Sequence, residues 1–184
     1  MQKRILGIFL CLMLTAGMLA TTASAGSVFP DVSDDADYAW AAELTKDMGV
    51  FAGDSNGNFN PNQGITRAQF ATMFYRLAGS PAADEGSKFT DLTQDWYKKA
   101  VGWAAANGVV SGTGDTTFSP DAVITREQIA SIFYRYAQSK GLDVSFNDSL
   151  NLSQTDYSDK GEIADYAVAP MSWCFAQNIM SIYS

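Results

Sequence analysis

The sequence predicts an all-α fold built from tandem helix–loop–helix repeats. Sliding the chain against itself by 59 residues matches residues 38–78 with residues 97–137 at 16 of 41 positions without a gap. In both copies, segments with apolar residues at helical spacing flank a loop that is dense in Gly, Asn, Asp and Pro. Because self-similarity at a fixed period is a signature of repeat proteins, each copy is expected to be one unit that packs on its neighbour.

The first 25 residues are interpreted as a secretory signal and not as part of this fold. Two basic residues, Lys3 and Arg4, precede an apolar run, and the small residues at 23–25 suit cleavage after Ala25. A retained membrane anchor is the alternative, but the apolar run is short for a spanning helix. The mature chain is therefore expected to be exported and to have no membrane contact after cleavage.

Composition narrows the function of the mature chain, which has about 159 residues. Loss of Lys3 and Arg4 takes the formal charge from −8 to −10, and such a chain has no basic face to displace counterions from nucleic acid. The chain has no histidine, which removes the commonest general base and the commonest zinc ligand. Cys174 stands alone once Cys11 is cleaved off, so no internal disulfide is expected. We predict no cofactor and no catalysis.

The first helix of each unit is expected to start near an aspartate and to end at a glycine. Asp35 and Asp95 are the candidate N-caps, and Gly49 and Gly108 are the candidate C-caps. The loops that follow, at 51–64 and 110–123, have the composition of turns. A phenylalanine in each loop is expected to be buried in the core of its unit.

The second helix of each unit carries a capping box at its start. Thr66 with Gln69, and Thr125 with Gln128, have the spacing at which a hydroxyl and an amide satisfy free backbone N–H groups reciprocally. Apolar residues follow at i, i+3, i+4 and i+7, and we interpret them as core: Phe70, Met73, Phe74 and Leu77 in the first copy, and Ile129, Ile132, Phe133 and Tyr136 in the second.

An arginine directly follows the capping threonine in both copies. Arg67 and Arg126 face the positive end of the helix dipole, which costs a few tenths of a kcal/mol. A residue placed twice against its local preference is expected to have a partner. The partner is either a carboxylate of a neighbouring unit, Asp31 or Asp91, or an anionic ligand that shares the helix N-terminus.

A third copy begins near the C-terminal end of the sequence. "YSD" at 157–159 corresponds to "FTD" at 89–91, and Trp173 falls on Trp103 when Asn178 is set against Gly108. No second helix follows before Ser184. The predicted organisation is a signal at 1–25, a first repeat at 26–78, a linker at 79–88, a second repeat at 89–137, a linker at 138–156 and a partial third repeat at 157–184.

The order and spacing of these elements resemble the S-layer homology family. The resemblance covers nearly the whole mature chain from Phe29 onward. It is carried by an F-x-D motif ("FPD" at 29–31 and "FTD" at 89–91), an aromatic start of the first helix ("WY" at 96–97), Gly-Val-x-x-Gly, F-x-P, and "ITRAQ" or "ITREQ" at the second helix.

The resemblance implies a pseudo-threefold helical assembly of three repeats, of which this chain would form an incomplete bundle. It also implies non-covalent attachment to the bacterial cell surface, in association with an S-layer. The implied ligand is an anionic secondary cell-wall polysaccharide, often carrying pyruvate ketals, bound in grooves between repeats. A guanidinium beside free helix N–H groups suits such a carboxylate.

The family's motif arginine corresponds to Arg67 and Arg126, and flat aromatic side chains would hold a sugar ring. Packing between repeats is the alternative role for the aromatic residues. The predicted ligand-binding residues are Arg67, Arg126, Thr66, Thr125, Gln69, Gln128, Asp31, Asp91, Trp96, Tyr97 and Tyr38.

Three departures from the family pattern bear on these predictions. Gln69 and Gln128 stand where the motif has glutamate, which keeps the cap but removes a charge. Glu127 replaces the motif alanine, and it is expected to pair with Arg126 and to weaken an anion site there. The third repeat has Ile182 where the others have glycine and lacks its second helix, so a second copy of the chain would have to lend that helix.

Three alternative functions remain open on the residues alone. A calcium loop at 54–60 has oxygen ligands, but its Gly57 and Ile65 fall at loop positions 4 and 12, where an EF-hand needs other residues. A wall hydrolase would need two placed carboxylates, and no acidic position recurs in a cleft-like setting. The third alternative is that the chain is a non-binding remnant of a larger surface protein.

Overall fold

A computed structural model describes residues 28–146 and 160–180 of the chain. Within these ranges no strand forms, and one isolated antiparallel bridge joins Thr66 to Val123. The predicted all-α fold is confirmed. The helices are α1 (Ala39–Asp47), α2 (Arg67–Leu77), α3 (Asp95–Ala106), α4 (Arg126–Ser139) and α5 (Asp165–Ala176), with a short 3-10 helix at Lys160–Glu162 before α5.

The predicted signal peptide, the "YSD" motif and Ile182 lie outside the described residues. None of the helices in the described part of the chain is long and apolar enough to span a bilayer.

The first helix of each unit ends in the same left-handed turn. Gly49 and Gly108, the predicted C-caps, follow the helix ends with φ of 66° and 67°. Asn178 has φ of 56° at the end of α5, and the N–H of all three residues donates to the carbonyl three residues back at 2.9 to 3.0 Å. The C-cap prediction is confirmed, and Asn178 repeats the geometry of Gly108, with which the sequence aligns it.

Both predicted capping boxes are present. The hydroxyl of Thr66 accepts the N–H of Gln69 at 3.2 Å, and the Gln69 amide oxygen accepts the N–H of Thr66 at 2.9 Å. Thr125 and Gln128 make the same pair of bonds at 3.3 and 3.4 Å. Local hydrogen-bond chemistry therefore fixes the start of both second helices.

The predicted aspartate caps of the first helices are wrong. α1 begins four residues after Asp35, and its N-cap residue Tyr38 makes no side-chain cap. Asp95 is the first residue of α3 and not its cap, and it forms a 2.6 Å ion pair with Lys98. The N-cap residue is Gln94, and its N–H is accepted at 3.2 Å by the hydroxyl of Tyr97, which takes the place of the glutamate or glutamine of a capping box.

Each second helix packs on the first helix of the following unit. α2 contacts α3, and α4 contacts α5. Tyr75 and Trp103 have ring centroids 5.5 Å apart, and Tyr134 and Trp173, one unit further along, have centroids 5.7 Å apart. The core of the chain therefore lies between repeats, as the repeat pattern predicted, and it includes most of the predicted apolar stripe: Phe70, Phe74, Ile129, Ile132, Phe133 and Tyr136.

Among the described helices, α1 packs on no other helix. Its side chains of Trp40, Leu44 and Met48, spaced four residues apart, are 68, 37 and 40% exposed. Leu44 corresponds to Trp103, which is buried under the second helices of its own and the preceding repeat. The position of Leu44 is therefore covered on α3 and uncovered on α1, whereas Lys99 and Asn107, which correspond to Trp40 and Met48, are exposed on α3 as well.

The aspartate of each F-x-D motif closes the loop of its own unit. The carboxylate of Asp91 accepts the N–H groups of Phe118 at 2.9 and 3.1 Å and of Ser119 at 2.7 Å. Asp31 accepts the N–H groups of Phe59 and Asn60, both at 2.7 Å. Ser119 and Asn60 have positive φ, 58° and 57°, and the carboxylates hold these strained residues in place. Both aspartates therefore carry a structural role.

Loop closure by Asp91 predicts acid-sensitive stability. Desolvation raises the pKa of Asp91, but the N–H groups of Phe118 and Ser119, with Arg67 nearby, outweigh it and hold the pKa below 3.8. The stabilisation is therefore complete above the unfolded-state pKa and is lost as the pH falls through the lower folded-state value. Asp91→Asn is expected to cost about 1 kcal/mol of unfolding free energy at pH 7, allowing for solvent screening.

The measurement is chemical denaturation of wild type and Asp91→Asn between pH 7 and pH 2. The stability gap should close at the acid end. Asp115→Asn, an exposed change in the same loop, is the control and should leave the curve unchanged. A gap that stays constant with pH would contradict the role assigned to the Asp91 carboxylate.

Candidate functional site

Two cavities occupy corresponding places in the two complete repeats. The first, here called the arginine groove, has a volume of about 360 Å³ and is lined by Arg67, Val110, Ser111, Gly112, Thr113, Phe118, Ile124, Gln128, Ser131, Ile132, Arg135 and Tyr166. The second, the amide groove, has a volume of about 390 Å³ and is lined by Phe51, Gly53, Asp54, Phe59, Asn60, Pro61, Gln63, Gly64, Ile65, Thr66, Gln69 and Met73.

Arg67 is buried at the junction between the first and second repeats. It is only 6% exposed, and its Nε donates to the Phe118 carbonyl at 2.8 Å. One terminal nitrogen donates to the Ser111 carbonyl at 2.9 Å, and the other to the Gln128 amide oxygen at 3.1 Å. The guanidinium carbon lies 4.6 Å from the centroid of the Phe118 ring. The arginine thus joins α2 to the loop and second helix of the next unit.

The partners of Arg67 differ from the carboxylates that the sequence offered as one of two alternatives. Its hydrogen bonds go to neutral groups and not to Asp31 or Asp91, whose carboxylates close loops. Desolvation lowers the pKa of Arg67, while Tyr166 and Asp91 raise it. An arginine stays charged in such a setting, and these bonds use three of its five N–H groups. Two N–H groups of Arg67 therefore have no acceptor among the described residues.

The N-terminus of α2 is already occupied by backbone acceptors. The N–H of Arg67 donates to the Ala122 carbonyl at 2.9 Å, and the N–H of Ala68 donates to the Pro120 carbonyl at 3.0 Å. Ile124 returns a bond from its N–H to the Ile65 carbonyl at 2.9 Å. The free N–H donors expected beside the Arg67 guanidinium are therefore used to join the two repeats.

Two residues that line the arginine groove were missed by the sequence predictions. Arg135, on α4, makes no hydrogen bond or ion pair with any other described residue and lies close enough to Tyr166 to lower its pKa. Tyr166, on α5, is 51% exposed. The available signals were the Phe-Tyr-Arg triplet shared by both repeats and the 70-residue offset that sets Tyr166 on Trp96. The groove therefore combines Arg67 of α2, residues between 110 and 135, and Tyr166 of α5.

Glu127 joins the start of α4 to the start of α5. Its carboxylate was expected to pair with Arg126, but it accepts the Tyr166 hydroxyl at 3.0 Å and the N–H of Ala164 at 3.2 Å. Ala164 is the N-cap residue of α5, where a carboxylate also suits the helix dipole. Desolvation and the bond to Glu127 raise the pKa of Tyr166. This departure from the family motif fixes the wall of the groove.

The aromatic residues that were predicted to bind the ligand occupy different environments. Tyr97 is fully buried, and its hydroxyl accepts the N–H groups of Thr93 and Gln94, so it belongs to the core. Trp96 is 51% exposed and packs edge-on against Tyr97, outside both groove linings. Tyr38 is 42% exposed and stacks on Phe59. For Tyr97 the structure supports the packing alternative.

The structure separates the two motif arginines that the sequence treats alike. Arg126 is exposed and lies in the lining of neither groove. Thr125 is likewise outside both linings, whereas Gln128 faces the arginine groove and binds Arg67. Thr66 and Gln69 face the amide groove. Of the predicted residues, Arg67 and Gln128 therefore meet in one site, and Thr66 and Gln69 meet in the other.

The polar loop at 54–60 is organised around Asp54. One carboxylate oxygen accepts the N–H groups of Asn56 and Asn58 at 2.8 and 2.9 Å, and the other accepts the Asn60 amide at 2.9 Å. The Asn60 amide and these backbone N–H groups lower the pKa of Asp54. Within 28–146 and 160–180, no three acidic or cysteine side chains are grouped to hold a metal ion. The Asp54 carboxylate serves its own loop.

Comparison with known proteins identifies a repeated domain in the chain. The S-layer homology domain matches residues 28–71 and 88–130. The chain is 36% identical over 121 residues to the surface-layer 125 kDa protein of Lysinibacillus sphaericus. The aligned region covers 65% of this chain and 10% of that protein. It is 30% identical over 112 residues to a cellulosome-anchoring protein of Acetivibrio thermocellus, covering 58% of this chain and 25% of that protein.

An enzyme is also among the relatives. An endoglucanase of Bacillus sp. (strain KSM-635) is 29% identical over 163 residues, covering 87% of this chain and 17% of the enzyme. The chain thus spans between a tenth and a quarter of the length of these three relatives. The chain therefore contains two S-layer homology domains, at residues 28–71 and 88–130.

Proposed function

We propose that the chain attaches non-covalently to the bacterial wall by binding an anionic secondary cell-wall polysaccharide in the arginine groove. The observation that carries this proposal is the lining of that groove, which holds two guanidinium groups and no carboxylate. A concave site with a few convergent polar groups is the usual form of a small-ligand site. The ligand class is a sugar that carries a carboxylate, such as a pyruvate ketal.

The two arginines have complementary roles in this proposal. Arg67 is fixed by three hydrogen bonds and presents a preorganised positive charge at the base of the groove. Arg135 is half-buried and has no bonded partner among the described residues, so it is available to form a bidentate pair with a carboxylate. The exposed ring of Tyr166 supplies an apolar face for the sugar. The net charge of −10 for the predicted mature chain repels an anion at long range, but salt screens this repulsion. Binding is therefore expected to depend on the short-range contacts inside the groove.

The proposal assigns the chain no catalysis and no cofactor. An anchor needs only affinity, whereas glycoside hydrolysis needs two facing carboxylates, and the lining of the arginine groove contains none. The similarity to an endoglucanase covers 17% of that enzyme, a share that suits a common anchoring region. Hydrolysis of purified wall material by the chain would overturn this part of the proposal. Residence in an S-layer is the localisation that the proposal implies.

Replacing Arg135 tests the groove most directly. Arg135→Gln is expected to weaken binding to wall sacculi by about ten-fold or more, because a charge-assisted hydrogen bond contributes about 1.5–3 kcal/mol. The measurement is co-sedimentation with sacculi, native and stripped of their secondary polymer. Wild type should bind only the native sacculi.

Arg76→Gln is the matched control for this measurement. Arg76 occupies the same place in the first repeat, is exposed, and lies in neither groove. It should bind as wild type does. If Arg135→Gln is folded and also binds like wild type, the arginine groove is not the site. If folded wild type ignores native walls, the alternative of a non-binding remnant is favoured.

We also propose that a second copy of the chain covers the exposed face of α1. On α3 and α5, Trp103 and Trp173, which correspond to Leu44, are buried against the second helix of the preceding unit. On α1, Leu44 lies with Trp40 and Met48 on an exposed apolar face that no helix contacts among the described residues. Sedimentation of the mature chain should show a dimer that Trp40→Glu dissociates. A stable monomer at all concentrations would refute self-association.

A further inference from the structure

We propose that the amide groove is a second saccharide site, selective for an uncharged sugar unit. It deepens the proposed function, on which it rests for the polymer, by assigning the two grooves to different units of that polymer. The two grooves occupy the same place in their repeats, since Phe59, Gln69 and Met73 correspond to Phe118, Gln128 and Ile132 at the 59-residue offset. Their chemistry is opposite.

Charge separates the two sites. The lining of the amide groove includes no arginine or lysine, and its one charged side chain is Asp54. At the corresponding position the arginine groove has Thr113. A carboxylate-bearing ligand would meet repulsion from Asp54 without compensation by a cation. An uncharged sugar avoids this cost.

The amide side chains keep unused hydrogen-bonding capacity that faces a polyol. Gln69 spends its oxygen on the N–H of Thr66, and its NH₂ group has no acceptor among the described residues. Gln63 donates to the Asn60 oxygen at 3.3 Å, which leaves its own oxygen and its second N–H available. Vicinal hydroxyl groups both donate and accept, so they can match this mixture. A carboxylate can only accept.

The apolar part of the groove suits the C–H face of a sugar ring. Phe51 and Phe59 are partly exposed and lie edge to face, 5.3 Å between centroids. Ile65 and Met73 complete the apolar lining. A cavity of about 390 Å³ with these walls is of the size that small-molecule sites have. The groove thus combines aromatic contact area with neutral hydrogen-bonding groups.

Methyl-labelled NMR on the mature chain can follow both grooves in one titration. Ile65 and Met73 report on the amide groove, and Ile124 and Ile132 report on the arginine groove. The probes are the methyl glycoside of N-acetylglucosamine and the same glycoside carrying a 4,6-pyruvate ketal. The neutral glycoside is expected to shift Ile65 and Met73, with millimolar affinity. The pyruvylated glycoside is expected to shift Ile124 and Ile132 and to leave the amide groove largely unperturbed.

Gln63→Ala is the test variant, because this exposed residue braces its loop only through one long hydrogen bond. Loss of one hydrogen bond should weaken the neutral glycoside about five-fold. Asn62→Ala, an exposed change outside the lining, is the matched control and should bind normally. If the neutral glycoside leaves Ile65 and Met73 unmoved, or if the pyruvylated one shifts them equally, the inference fails. Shifts at Ile124 and Ile132 judge the arginine groove separately.

Discussion

Arg67→Ala is expected to lower the free energy of unfolding by about 3 kcal/mol, because two loop carbonyls lose their donor and a buried cavity opens. The carbonyls are those of Phe118 and Ser111, and the guanidinium also covers the Phe118 ring. Arg67→Lys should recover only part of the loss, since an ammonium cannot reach three divergent acceptors. Denaturant unfolding of each variant without ligand measures the effect.

Arg126→Ala is the matched control for this prediction. The residue has the same motif and the same helix position, but it is exposed. Its replacement should change stability by less than about 0.5 kcal/mol. Equal losses for the two variants would contradict the structural role of Arg67. For the same reason, loss of wall binding by Arg67→Ala alone would not identify a ligand contact, and Arg135→Gln is the cleaner binding test.

Trp173→Ala is expected to destabilise the chain by about 3–5 kcal/mol, the usual cost of removing a large buried aromatic side chain. Trp173 is 1% exposed and packs against Tyr134 of α4. The variant should also weaken wall binding, because Tyr166 is held in the arginine groove by the same helix. Unfolding and sacculus binding are the two measurements.

Trp40→Ala provides the comparison for Trp173, since Trp40 is 68% exposed on α1. In the monomer, Trp40→Ala should lower the free energy of unfolding only slightly. If Trp173→Ala is as stable as wild type, α5 does not belong to the core, and the prediction of a partial third repeat at 157–184 fails. That prediction currently rests on the register of Trp173 and on the turn at Asn178.

The parts of the fold that the sequence predicted are those decided by neighbouring residues. A threonine and a glutamine three positions apart start a second helix, and a glycine ends a first helix, whatever lies further along the chain. Asp35 failed as a cap because its helix starts later, at Ala39. At α3, the Tyr97 hydroxyl accepts the N–H of the N-cap residue Gln94, a part that glutamate or glutamine plays in a capping box. A tyrosine in that role has no established sequence signature.

The candidate site was harder to predict because its contacts join distant segments. Arg67 finds its acceptors 44 to 61 residues away, and two of them are backbone carbonyls, which every residue type carries. Arg135 belongs to a sequence motif that both repeats share, but its counterpart Arg76 lies outside both grooves. The repeat pattern identifies equivalent positions. It does not indicate which of these positions has another repeat packed on each side.

The offset packing of the helices has a consequence for gene shuffling among such proteins. The cohesive body formed by α2, α3 and the loop that receives Arg67 straddles the linker at 79–88, so it is out of phase with the repeat seen in the sequence. A recombination event at that linker would transplant Arg67 without its acceptors. Exchange of single repeats is therefore expected to be costly, and inheritance of adjoining repeats as a block is expected to be favoured.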